Sequence, residues 1–96
     1  MNLKTTLPAP SKPDHIPIAS QWLSGEGAGS WFCIEHQNNQ FIITRYSPKG
    51  DEECSGPFVP DEPGFNIETN YQFVHLSHCK IVCIEQNNKT YVFKRV

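Results

Sequence analysis

Trp31-Phe32-Cys33-Ile34-Glu35-His36-Gln37-Asn38-Asn39-Gln40-Phe41-Ile42-Ile43-Thr44-Arg45 decides the fold of this chain, because the chain carries it twice. Fifty residues on, Ile81-Val82-Cys83-Ile84-Glu85-Gln86-Asn87-Asn88-Lys89-Thr90-Tyr91-Val92-Phe93-Lys94-Arg95 aligns with it without a gap. Cys-Ile-Glu, one Asn and the closing Arg are identical, and apolar positions match throughout. Phe32 and Ile34 share one face of an extended segment, as do Val82 and Ile84, which is the period of a strand. Gln37-Asn38-Asn39-Gln40 and Gln86-Asn87-Asn88-Lys89 then supply Asn, which tolerates the left-handed backbone of a tight hairpin. The return segments, Phe41 to Tyr46 and Thr90 to Arg95, are rich in β-branched and aromatic residues. The repeat predicts two β-hairpins, and their placement at opposite ends of the core implies a pseudo-twofold arrangement.

Outward from the hairpins, Ile16 to Leu23 reads as a first strand, broken by Gly25-Glu26-Gly27-Ala28-Gly29. That glycine run is no phosphate cradle, because strand-like Ser30 to Ile34 follows it where a helix N-terminus is needed. Ser47-Pro48-Lys49-Gly50-Asp51 is a turn leading into a short strand over Glu52 to Ser55. Gly56 to Gly64 contains Pro57, Pro60 and Pro63 and is expected to be a loop or an edge, since Pro cannot serve a central ladder. Extended character resumes from Phe65 to Leu76, and Ser77-His78-Cys79 turns into the second hairpin. No segment repeats apolar residues with a helical period. The expected fold is all-β: an antiparallel meander of six or seven short strands closed into a small barrel or compact sandwich. Residues 1–15, with Pro8, Pro10 and Pro13 and few large apolar side chains, are expected to be a flexible tail. Residues 16–96 are expected to form a single domain.

A formal charge of −2 and an isoelectric point near 6.0 argue against a nucleic-acid partner, which calls for a basic face. The middle of the chain is acidic and the second hairpin basic, a pattern that solvated turns explain. With no apolar run long enough for a membrane span or a signal core, no membrane partner is expected and the compartment is read as cytoplasmic. There Cys33, Cys54, Cys79 and Cys83 should be thiols.

Two constellations bear on function. His75, His78, Cys79 and Cys83 bring four soft-metal donors close in sequence, although no Cys-x-x-Cys turn accompanies them. Aromatic side chains are the other supply, six Phe, three Tyr and two Trp. Trp22, Trp31, Tyr46 and Tyr91 could stand on an outer face or at a cavity mouth and recognise a partner. Nucleophile and metalloprotease signatures are lacking, and acidic neighbours disfavour a Cys54 thiolate. The expectation is a non-catalytic binding or interaction module, without a cofactor, that takes an unidentified protein or small-molecule ligand or pairs as a homodimer. The alternative is a metal- or thiol-dependent protein using the His75, His78, Cys79 and Cys83 cluster.

Trp31-Phe32-Cys33-Ile34, Ile43-Thr44-Arg45-Tyr46-Ser47-Pro48-Lys49-Gly50 and Cys54-Ser55-Gly56 together resemble a family of short bacterial proteins of the Bacteroidetes type, a domain of unknown function. The likeness covers residues 16–96. It implies a bacterial, cytoplasmic source and carries over no activity, cofactor or site residue.

Overall fold

A computed structural model describes residues 9–24 and 29–96. Among them seven strands form one antiparallel sheet: β1 (Gln21–Leu23), β2 (Ser30–Gln37), β3 (Gln40–Tyr46), β4 (Glu52–Pro60), β5 (Gln72–Ser77), β6 (Ile81–Gln86) and β7 (Lys89–Arg95). Their order across the sheet is β1-β2-β3-β4-β7-β6-β5. The sheet curls until its edges β1 and β5 meet, which makes a small, nearly closed barrel. No ladder joins those edges. Instead Gln21 Nε2 donates to the Tyr71 carbonyl at 3.2 Å, and the Phe32 and Phe73 rings stack 5.1 Å apart just inside. Phe32, Ile43, Phe58, Val82, Ile84 and Phe93 are the most completely buried side chains. Each contributes about 1.5–3 kcal/mol by leaving water.

Both expected hairpins form, and their turns are alike. Asn38 and Asn39 have φ of 47° and 66°, Asn87 and Asn88 of 53° and 62°. The flanking pairs Gln37–Gln40 and Gln86–Lys89 close two-residue turns of the type that requires φ > 0 at both positions. The ladders differ, however. Ile34 faces Ile43 in the first hairpin, whereas Ile84 faces Tyr91 and Phe93 faces Val82 in the second. The strands keep the fifty-residue correspondence while the Asn-Asn reversal moves by one residue, so the pairing slips by two. Because strand side chains alternate with period two, that slip leaves every side chain on the face it already had. The hairpins do not pair with each other, since β4 lies between them.

The meander is interrupted between β4 and β5. Residues 61–71 cross one end of the barrel, so that β4 pairs with β7 rather than β5. Phe65, Ile67 and Tyr71, expected to be extended, instead cap that end against the core. The Phe65 ring meets Phe41, Tyr91 and Phe93 edge-on at 5.6, 5.6 and 5.1 Å. Buried Gln86 holds the crossing: its Oε1 accepts from Asn66 N at 3.1 Å, and its Nε2 donates to the Asn66 carbonyl at 2.7 Å.

Gly56 to Pro60, expected to be loop or edge, belongs to β4. Pairing with β3 covers Glu52 to Phe58, and pairing with β7 begins only at Phe58 and ends at Pro60. Pro57 thus precedes the second ladder and Pro60 ends the strand, which is where missing N–H groups are tolerated. At the N-terminal side, only Gln21–Leu23 of the expected first strand is extended. Pro13 and Pro17 carbonyls accept from Ile16 N and Ser20 N, which makes residues 13–20 a pair of turns. Most of the glycine run, residues 25–28, lies outside the described residues, as do residues 1–8 of the expected tail.

Candidate functional site

β1, β2 and β3 present an outer face as well as an inner one. Along it the register sets Trp22 opposite Trp31, and Trp31 opposite Tyr46. Three of the four expected aromatic site residues therefore stand in one cross-strand row. Trp22 and Trp31 meet edge-on, with ring centroids 5.2 Å apart and planes inclined at 62°. Trp22 and Tyr46 are half-buried and Trp31 is buried. Gly29 lies so close to Trp22 that a Cβ there would overlap the indole.

Tyr91, the fourth, is elsewhere. It faces the barrel interior beside Phe93, its ring against Phe65 and its hydroxyl near Gly64. Of the two expected places, an outer face or a cavity mouth, Tyr91 does not take the first, because the strand period gives it the parity of Phe93.

Residues 12–20 lie over the row. Lys12 Nζ stands 5.7 Å from the Trp31 ring centroid, within cation–π range, and also bonds the Ile18 carbonyl. His15 Nε2 hydrogen-bonds the Gly50 carbonyl at 2.9 Å, and Pro13 sits against the same glycine. Gly50 has φ of 94° and no room for a side chain, so the turn at Ser47 to Asp51 and this segment fit each other. Lys12, Pro13 and His15 thus touch the sheet although they fall within the expected tail. Ile16, Trp31 and Cys33 are buried but lie outside the barrel core, and the Ser20 hydroxyl of this segment lies beside the Cys33 thiol. Burial first and then Glu35 push the Cys33 thiol up, against weaker opposing effects of Ser20 and Lys12. Burial likewise raises Tyr46. The Trp31 indole Nε1 is buried with no acceptor among the described residues.

The donor cluster of the alternative does not assemble. Cys79 is joined to Cys54 by a disulfide, with Cα atoms 6.3 Å apart, which corrects the expectation of four thiols. His75 pairs with Cys83 across the β5–β6 ladder, while His78 sits in the turn. No three His, Cys, Asp or Glu among the described residues could share a metal ion. Burial raises the Cys83 thiol. A shallow open pocket of about 290 Å³ lies at the other end of the barrel, lined by Asn70, Tyr71, Gln72, Glu85 and the Asn87-Asn88 turn. Its lining is hydrophilic and carries no aromatic row.

Sequence reasoning missed Lys12, Ile16 and Ser20 as cover for the face. The available signal was Ile16 between Pro13 and Pro17, an apolar residue held between two turn-formers.

No helix among the described residues is long and apolar enough to cross a membrane. Residues 20–96 match the family model described as the DUF6695 C-terminal domain, and the chain belongs to that family, a domain of unknown function. No curated protein and no solved structure matches the chain.

Proposed function

We propose that this member of the DUF6695 C-terminal domain family is a non-catalytic binding module that recognises its partner through the outer-face row of Trp22, Trp31 and Tyr46. The observation that carries the reading is the register, which aligns three aromatic rings across β1, β2 and β3 on a face other than the one that builds the core. Aromatic rows of this kind give large contact area at small entropic cost. Lys12 over Trp31 indicates the chemistry the row accepts: a cationic or flat apolar group of a protein or small molecule. A bacterial, cytoplasmic setting belongs to the same reading, and a disulfide in that setting cycles rather than endures.

The test is a fragment and peptide screen read by NMR, following the two indole N–H signals. Binders should move the Trp22 and Trp31 signals, and Trp22→Ala or Tyr46→Ala should weaken them about tenfold, a loss of about 1.4 kcal/mol. Binders that leave both indoles unmoved and gather at the Asn87-Asn88 pocket would reject the row as the site.

A further inference from the structure

The end of the barrel opposite the Phe65 cap is closed by different means. Cys54 lies in β4 and Cys79 in the β5–β6 connection, 25 residues apart in sequence. In the sheet, β7 and β6 stand between those elements, so their disulfide links non-neighbours at the barrel end. Cys79 and the preceding His78 have φ of 59° and 47°. The chain's other adjacent left-handed pairs are Asn-Asn, the residue type that accepts this conformation most readily after Gly. His78 shares some of that ease and Cys79 does not, and the turn is closed by Lys80 N donating to the Ser77 carbonyl at 2.9 Å.

Arg95, the last residue of β7, ties the two cysteine segments together. Its backbone N donates to the Lys80 carbonyl at 3.0 Å. Its guanidinium donates to the Ser55 carbonyl at 2.8 Å and, more weakly, to the Cys79 carbonyl at 3.4 Å. The same group lies 5.6 Å from the centroid of buried Phe58 and fills the space that a side chain on Gly56 would take. Arg45 pairs with Cys54 across the ladder. The Arg45 guanidinium is held by Glu53 at 3.2 Å, and both cysteines of the disulfide are half-buried.

We propose that Cys54–Cys79 is a thiol–disulfide exchange site whose redox state opens and closes the Arg95 end of the barrel. The co-reactant is a low-molecular-weight thiol of the glutathione class. Its thiolate attacks one protein sulfur, a mixed disulfide forms, the Cys54–Cys79 bond breaks, and the other cysteine leaves with the electron pair as a thiolate. The exchange follows the ordinary thiolate–disulfide course. A second small thiolate then attacks the small-molecule sulfur of the mixed disulfide, so that the small disulfide departs and the remaining protein cysteine is released as a thiolate. The two protein thiolates take up the two protons released, so two electrons pass from two small thiols to the protein. Once the bond is gone, the β5–β6 turn is free to move away from β4, the Cys79 carbonyl leaves Arg95, and the cover over Phe58 loosens. Reoxidation by the small disulfide reverses each step.

The experiment equilibrates the intact chain with glutathione at graded ratios of reduced to oxidised form. Acid quenching, alkylation and mass spectrometry report the state of the bond, and amide hydrogen exchange reports the end of the barrel. The bond should open and re-form reversibly in the folded protein. Amides of residues 78–80 and 95 should exchange about tenfold faster when it is open, while those of the Asn38-Asn39 and Asn87-Asn88 turns stay unchanged. The double variant Cys54→Ser, Cys79→Ser should show the open pattern whatever the glutathione ratio. Three results would each overturn the proposal: a bond that yields to glutathione only after unfolding in urea, reduction that leaves residues 78–80 and 95 unchanged, or reduction that unfolds the whole barrel.

Discussion

Cys33 and Cys83 occupy the same place in the two hairpins, yet one is buried beneath residues 12–20 and the other stands half-exposed. Their strands treat the interior identically: Phe32 and Ile34, Val82 and Ile84 all lie in one core. Only the outer faces part company. On β2 and β3 the outer side carries Trp31, Cys33 and Thr44, all buried. On β6 and β7 the corresponding side carries Ile81, Cys83 and Val92, only partly buried. A repeated pattern thus determines which residues point inward, whereas the cover of the opposite face is supplied by chain far away in sequence, here Ile16 between its prolines.

This contrast can be broken or sharpened in four ways. The largest effect tests the shared interior. Phe32→Ala and Phe93→Ala should each cost about 3–5 kcal/mol in urea unfolding, because each leaves a cavity in the same core. A large difference between them would show that the hairpins do not share one cooperative core. Next comes the cover. Ile16→Ala should cost about 2–4 kcal/mol if residues 12–20 are integral to the domain. Val92→Ala, on the bare face, should cost about 1 kcal/mol or less. Equal values would erase the distinction between the two faces.

The turns should respond alike and more mildly. Asn39→Ala and Asn88→Ala both remove the side-chain amide that eases the left-handed backbone where φ exceeds 60°, and each should lose about 1 kcal/mol by equilibrium unfolding. Smallest is the thiol contrast. Iodoacetamide should modify Cys83 about tenfold faster than Cys33 in the folded protein, and both at equal rates in urea. The same thiols make stability fall in alkali. Burial raises both above the ordinary value of 9.0, so the unfolded chain loses these protons at lower pH than the folded one. Stability is intact below that value and erodes as pH climbs from it toward the higher folded values. Cys33→Ala should make the pH dependence of unfolding shallower over that window.

Much of this architecture was legible in the residues. The period-two patterns at Phe32 to Ile34 and Val82 to Ile84, and the Asn pairs, imply two hairpins and an all-β fold, with barrel and sandwich equally open. Where the reading failed, tertiary context overrode a local rule. Three prolines argued against a strand at Gly56 to Pro60, but a ladder that changes partner at Phe58 leaves room for Pro57. Phe65 to Tyr71 has strand-like composition, yet an open barrel end offers those rings more burial than an edge would. The Cys54–Cys79 link leaves no trace in spacing, because it depends on where β4 and the β5–β6 turn end up in space. For the candidate site, only register separates Trp22, Trp31 and Tyr46, which share a cross-strand row, from Tyr91. That separation was within reach, since Tyr91 and Phe93 already share a face in the sequence pattern.

The displaced reversal point of the second hairpin bears on how ribbons of this kind change length. Moving a turn by a single position shortens one arm and lengthens the other, and the partners re-mate one full pleat further along. Inside and outside are preserved, so such drift is invisible to the hydrophobic interior while it resets every facing couple. The two ribbons are consequently not interchangeable cassettes. Exchanging their tips at positions matched by sequence would impose the wrong mating on the recipient, and grafts should instead be cut at positions that face each other across the ladder.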